Sequence, residues 1–363
     1  MKHSFVSQKF ILLVLIFVCQ GCLSDEPGPS ANFTIDDTAE LLIYLESKGD
    51  YINNTPTFSL IEAPEVFASL NDNLILDVRP SEEFAQGHIE GAVNLTGGEL
   101  LDYILERDHQ SYNMIVLVSA SGQSAAYYTT LLRIYGLSNV YSLKWGMASW
   151  NSIFSSIWFD VIESPYDTTS FTNYLYEEKN EFTFLPEIIF DDNSITIESK
   201  FEERIRFLLL RGFIEHPSHH IDTDASVSLN KIIRRWDPIT ETYPGYYIIC
   251  MMHDLYLYGK SGDFTLPGHP PTTLEYQALI PYSEFRSIKY LQTLPTDETI
   301  ILYDYNGHYS ASFAAYLHIL GYNSQSVLYG YNRIHYIRML GWPCFHDYVF
   351  RQDKIHNFPI ITD

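Results

Sequence analysis

Two stretches of the chain bring together residue types whose spacing places chemistry at a loop. In Ile115-Val-Leu-Val-Ser119-Ala-Ser-Gly122 and Ile300-Ile-Leu-Tyr-Asp304-Tyr-Asn-Gly307, an apolar run enters a short glycine-containing loop, and a helical pattern follows. Such a turn gathers backbone N–H groups beside a helix N-terminus, which makes an anion cradle and lowers the pKa of a thiol placed there. Neither loop holds a thiol. Ser119 opens the first, and Ser119, Ala120, Ser121, Gly122, Gln123 and Ser124 form a candidate anion-binding loop, its amides assisted by three hydroxyls. The alternative is an empty turn retained for structure. No evident base stands near Ser119 to activate its hydroxyl as a nucleophile. Asp304 opens the second loop, with Tyr309 five residues on. A carboxylate there repels anions at neutral pH, and it either takes a cation or caps the following helix.

The remaining candidates are scattered. Of four cysteines, Cys19 and Cys22 lie in an N-terminal targeting segment, leaving Cys250 and Cys344 for the folded part. Two cysteines make no disulfide framework, although a single bridge is open to them. Cys250 ends a strand and reads as a buried, inert thiol; Cys344, two residues from His346, has no third group to form a nucleophile. His216-Pro-Ser-His219-His220-Ile-Asp222-Thr-Asp224 carries zinc-compatible side chains, but its spacing fits no helical or finger pattern. It is read as a solvated loop, and neither metal nor cofactor is expected.

Strands alternating with helices must position these loops. Apolar runs at 74–78, 114–118 and 139–143 read as strands, with helices over 39–48, 63–70 and 125–135. Further on, strands at 246–250, 299–303 and 325–329 accompany helices over 201–211 and 310–320. The two loop stretches fall in step, as do Leu-Arg-Ile-Tyr-Gly136 and Leu-His-Ile-Leu-Gly321. This is an internal repeat of an α/β unit around a largely parallel sheet.

The 363 residues suit two domains at roughly 150 residues each. A hydrophobic share of 46% is ample for globular cores. A net charge of −23 without any basic run makes nucleic acid a poor partner. The expected organisation is a signal peptide over 1–21, a tether over 22–36, domain one over 37–165, a polar linker over 166–185 and domain two over 186–363. The apolar run 10–18 is too short to span a bilayer but suits a signal-peptide core. It ends in Cys19-Gln-Gly-Cys22, which resembles a bacterial lipobox with Cys22 as the lipidated residue. That resemblance implies a lipid anchor in the cell envelope, on the periplasmic face of the outer membrane or at the cell surface.

Asp77-Val-Arg79-Pro-Ser-Glu-Glu83-Phe-Ala-Gln-Gly87-His88-Ile-Glu-Gly91-Ala92-Val-Asn-Leu95 resembles the rhodanese signature, and Leu143-Lys-Trp-Gly146-Met-Ala-Ser-Trp150 resembles the ending of the same family. The second copy is fainter, at Tyr258-Gly259, Leu266-Pro-Gly268 and Ala278 to Phe285, with Thr299 to Gly330 the better match. The resemblance implies two rhodanese-like domains, each with a largely parallel five-stranded sheet flanked by helices. In that family a cysteine opens the loop, forms a persulfide and passes its outer sulfur on, and an arginine five residues later helps hold the anionic donor. Here the cysteine slots are Ser119 and Asp304, and the arginine slots are Ser124 and Tyr309. The same absences exclude the related Cys…Arg phosphatases. Arg79 is expected to pair with a local carboxylate such as Glu83. The leading expectation is a catalytically inactive binding or scaffold lipoprotein, holding an unknown protein or a small anionic ligand and reaching the membrane through Cys22. Two alternatives stand beside it: an envelope sulfurtransferase using Cys250 or Cys344, and a small-anion sensor acting through the Ser119 loop.

Overall fold

A computed structural model describes residues 36–49, 52, 59–162, 171, 178–190, 196–215, 224–252, 268–276, 285–287, 289–341 and 343–362. Residues 36–363 form one compact unit. The expectations for the signal peptide, the tether and Cys22, for the histidine loop at 216–223, and for most of the second-copy signature at 258–267 and 278–284 lie outside the described residues.

Ten strands build two sheets. The first contains β1 (Leu60–Ile61), β2 (Asn73–Asp77), β3 (Val93–Asn94), β4 (Met114–Val118) and β5 (Val140–Leu143), in the order β1-β5-β4-β2-β3. The second contains β6 (Ser226–Val227), β7 (Tyr246–Cys250), β8 (Leu274–Glu275), β9 (Thr299–Tyr303) and β10 (Ser324–Val327), in the order β6-β10-β9-β7-β8. Every pairing is parallel, and the second order is the first advanced by five. The internal repeat read from the sequence is therefore a repeat of topology. The edge strands β1, β3, β6 and β8, of two residues each, were not anticipated, because so short a run carries no alternation to read.

The helices are α1 (Asp37–Ser47), α2 (Ala63–Ala68), α3 (Ser81–Gln86), α4 (Leu100–Leu105), α5 (Gln123–Tyr135), α6 (Met147–Trp150), α7 (Ser156–Ile162), α8 (Ile197–Arg211), α9 (Leu229–Arg234), α10 (His308–Ile319) and α11 (Gly330–Leu340). Helix α8 begins four residues before the expected Phe201, because Thr196 and Ser199 form a reciprocal cap.

Central strands of a parallel sheet are covered on both faces, which is why they read as unbroken apolar runs. The pleat then splits them. Leu74, Leu76, Ile115 and Leu117 face a core that continues into the second half, joining Phe201, Ile205, Phe313 and Leu317. Ile75, Val116 and Val118 face the opposite way, onto Ile61, Val66, Met147 and Trp150. This outer cluster is capped by Phe358 and Ile360 from the far end of the chain. There the backbone of Ile361 exchanges two hydrogen bonds of 2.9 Å with His88, and Trp150 Nε1 donates to the Pro359 carbonyl at 2.8 Å. Residues beyond 186 thus complete the outer face of the first sheet.

The halves meet along α5 and α10. The Tyr127 hydroxyl lies 2.9 Å from His318 Nδ1, and Ser312 Oγ donates to the Ala126 carbonyl at 3.5 Å. Helix α8 braces the junction, its Arg204 Nε donating to the His318 carbonyl at 3.0 Å and its Lys200 bridging Asp37 and Glu40 of α1.

Candidate functional site

Both loops leave the C-terminal ends of central strands, the side of an open parallel sheet where ligands bind. In the first, Ser119 follows β4 directly and is 1% exposed. Its Oγ accepts from the Gly122 N–H at 3.0 Å and the Ala125 N–H at 3.3 Å. In the second, Asp304 follows β9 and its Oδ1 accepts from the Gly307 N–H at 2.8 Å, and from Ser310 N and Oγ at 3.2 and 2.8 Å. Asn306 N–H approaches Oδ2 at 3.4 Å. The residue pairs Ser119 and Asp304, Gly122 and Gly307, Ala125 and Ser310 are thus equivalent. Asp304 is the capping carboxylate of the two readings offered above. Burial pushes its pKa up, while donors from Ser310, Asn306 and Gly307 pull the other way.

The first cradle is occupied by the chain itself. Glu215, only 7% exposed, accepts the Ser119 hydroxyl at 2.7 Å and the Ser124 N–H at 2.5 Å on Oε1, and the Ser121 N–H at 2.8 Å on Oε2. The loop donors gather around a carboxylate of the chain itself, that of residue 215. Of the expected hydroxyls, Ser119 bonds to the carboxylate, Ser121 Oγ points to Gln123 Oε1 at 3.5 Å, and Ser124 contributes its N–H. Glu215 is carried there from the end of α8 through Gly212 and Phe213. It lies 96 residues from Ser119, so no local motif announces it.

The two loops also face each other. Gln123 and His308, each the first residue of its helix, reach across in matched fashion. Tyr329 N–H donates to Gln123 Oε1 at 2.9 Å, and Trp145 N–H donates to His308 Nε2 at 3.3 Å. Tyr329 and Trp145 both stand immediately before a glycine with positive φ, at 65° and 67° themselves. His308 is packed edge-on against Trp145 and stacked on Trp158, and burial holds its pKa down at about 3, helped by Lys144. The imidazole is neutral and accepts at Nε2. Sequence reasoning did not single out this pair; their identical offset after the loop glycine was the available signal.

The signature residues build the frame of the site. Asp77 and Arg79 form a buried, two-pronged pair, with Nη2 to Oδ2 at 2.6 Å and Nε to Oδ1 at 3.0 Å. The local carboxylate expected for Arg79 is Asp77, two residues back, which matches its fork; at Glu83, the residue named as an example, Arg79 donates to the backbone carbonyl at 3.4 Å. Burial raises the pKa of the Glu83 carboxyl, partly countered by Arg79 and reinforced by Glu215. Arg79 also donates to the Gly87 carbonyl at 2.9 Å; His88 stacks on Phe84; Gly91 and Ala92 make the turn into β3. A cleft of about 850 Å³ opens beside the first loop, lined among others by Arg79, Glu83, Ser119, Tyr128, Phe213 and Glu215.

Cys250 is not among the residues lining this cleft. Cys250 ends β7 beside Tyr303, as Asp77 ends β2 beside Val118, and it is a wholly buried thiol outside any disulfide. Cys344 lies in a short turn of helix at Pro343–Phe345, and its side chain is outside the described residues. Tyr309, in the second arginine slot, is half-buried against the main core. Asp224 pairs with Arg211.

Comparison with known proteins places the family match in the first half. The model of the rhodanese-like domain family matches residues 62–153. The thiosulfate sulfurtransferase GlpE of Pseudomonas aeruginosa is 35% identical over 101 residues, covering 27% of this chain and 88% of the relative. That of Pseudomonas entomophila is 35% identical over 82 residues, covering 22% and 72%. Among solved structures, a rhodanese-related protein from Thermoplasma volcanium is 29% identical and covers 25% of this chain and 87% of its own, with a TM-score of 0.22. A thiosulfate sulfurtransferase from Pseudomonas aeruginosa is 14% identical and covers 80% and 46%, with a TM-score of 0.27.

Proposed function

This chain belongs to the rhodanese-like family, and from that premise we propose that it is a non-catalytic member, a binding or scaffold protein of the cell envelope. One observation carries the reading. Where a sulfur carrier would stand there are a serine and an aspartate, and each loop's donors are already engaged with a carboxylate of the chain. A hydroxyl cannot become a persulfide, and a thiosulfate anion arriving at the first loop meets an anion in place.

The sulfurtransferase alternative requires Cys250 or Cys344. Persulfide transfer needs an accessible thiolate, and Cys250 is 0% exposed in the core of the second half. The lipobox-like Cys19-Gln-Gly-Cys22 supports the envelope placement through a lipid on Cys22. The bound partner is a protein or a small anionic ligand, with the cleft beside the first loop as the candidate seat.

The test is a thiosulfate sulfurtransferase assay on the purified protein with cyanide as acceptor. Thiocyanate is expected at the no-protein background. Robust cyanide-dependent turnover overturns the proposal and sends attention to the two remaining cysteines.

A further inference from the structure

The loop that opens at Ser119 is complete as an anion seat without Glu215. Its donors are the Ser119 hydroxyl and the N–H groups of Ser121 and Ser124, on a loop fixed by β4 on one side and the thirteen residues of α5 on the other. A buried carboxylate needs such donors to replace its water. Glu215 enters from outside the loop, four residues after the last residue of α8, and its own carbonyl is held by the Tyr329 hydroxyl at 3.3 Å. Immediately beside it lies the cleft of about 850 Å³, with Arg79, Tyr128 and Phe213 on its walls. Withdrawal of this side chain leaves the donor set in place at the edge of open space.

The second loop is built differently. Asp304 is the loop's own opening residue, and its carboxylate accepts from the Gly307 and Ser310 N–H groups of the same loop. The first loop is instead closed by a residue 96 positions away in the chain.

We propose that the 119–124 loop is an oxyanion and carboxylate site held shut by a ligand built into the chain, the carboxylate of Glu215. A free sulfur oxyanion or a carboxylate binds only in competition with this tethered group, which stands at an effective concentration on the order of millimolar or above. Ligand entry and displacement of the 212–215 segment are then one event. Because that segment also contacts Tyr329 of the second half, occupancy of the first loop is transmitted to the junction between the halves. The inference rests on the reading of this loop as one without chemistry, but its test involves no turnover and fails independently of it.

The experiment follows the thermal unfolding midpoint of the full chain in sulfate, thiosulfate or acetate, against chloride at matched ionic strength. Wild type is expected to show no saturable response beyond chloride. Glu215→Ala is expected to unfold several degrees lower and to recover at least half of that loss, saturably, in one of the three anions. Recovery in acetate identifies a carboxylate site, and recovery in sulfate or thiosulfate identifies a sulfur-oxyanion site. A folded Glu215→Ala that responds to none of them, or a wild type that saturates equally, overturns the proposal. Should Glu215→Ala fail to fold, Glu215→Gln decides, since its neutral amide keeps the volume and lacks the charge. An anion-specific rise in that variant supports the proposal, and a flat titration sinks it.

Discussion

A carboxylate faces the loop amides in both halves, but the two arrive by different routes. Asp304 is the local solution, a side chain folded back onto the helix that follows it. Glu215 is the distant one, brought from another element onto a loop whose own opening residue is a serine. The pairing of Asp77 with Arg79 is a third charge arrangement at the site, with side-chain exposures of 2% for Arg79 and 0% for Asp77. Removing one member of a buried pair strands the other, at a cost of about 3–5 kcal/mol. Arg79→Ala is therefore expected to lower unfolding free energy by about that amount in urea titrations. Loss below about 1 kcal/mol would mean that water replaces the fork, and that the signature arginine does not hold the frame.

At the scale of the element, each loop-to-helix turn depends on a glycine in the left-handed region, Gly122 at φ 92° and Gly307 at φ 85°. These positions also lie against the opposite loop. A Cβ on Gly307 would fall 2.0 Å from Gln123 Nε2, and one on Gly122 would fall 2.5 Å from His308 Nε2 and 2.9 Å from Trp145 N. Backbone strain of about 1–2 kcal/mol adds to the displaced Gln123 or His308 contact. Gly122→Ala is expected to cost more than Gly307→Ala. The first meets a backbone nitrogen, while the second meets the movable end of one side chain. Comparison of the two variants by thermal unfolding checks the order, and the reverse order would show that the loops do not interlock as described.

At the scale of the molecule, the joins between the halves include α5 against α10, the bracing by α8, the facing loops and the far end of the chain. Phe358 stacks on Phe67 at 4.2 Å between ring centroids and packs edge-on against Trp150, adding to the cover that first-half residues give this cluster. Deletion of residues 356–362 exposes that cluster. With Phe358 and Ile360 only half-buried, a loss of about 1–2 kcal/mol for each is expected, together with a red shift of the intrinsic fluorescence from Trp150. An unchanged midpoint and spectrum in the truncated protein would show that the tail adds nothing to the first half.

The sequence by itself determined the repeat, the parallel α/β architecture and the missing thiols. Central parallel strands are unbroken apolar runs, a strand–glycine–helix turn has a local signature, and a residue type is read directly. The rhodanese signature was legible for the same reason: Asp77, Arg79, Gly87, His88, Gly91 and Ala92 stand in one contiguous stretch of the sequence. The two-residue edge strands, the choice of Asp77 over Glu83 by Arg79, the facing of Gln123 and His308, and the sealing tail were decided only in the tertiary structure. Above all, the occupant of the first cradle was decided there. Loop amides specify a charge and a geometry, and any carboxylate the fold delivers satisfies them. Which one does so depends on where α8 ends in space, and a separation of 96 residues leaves no local trace of that.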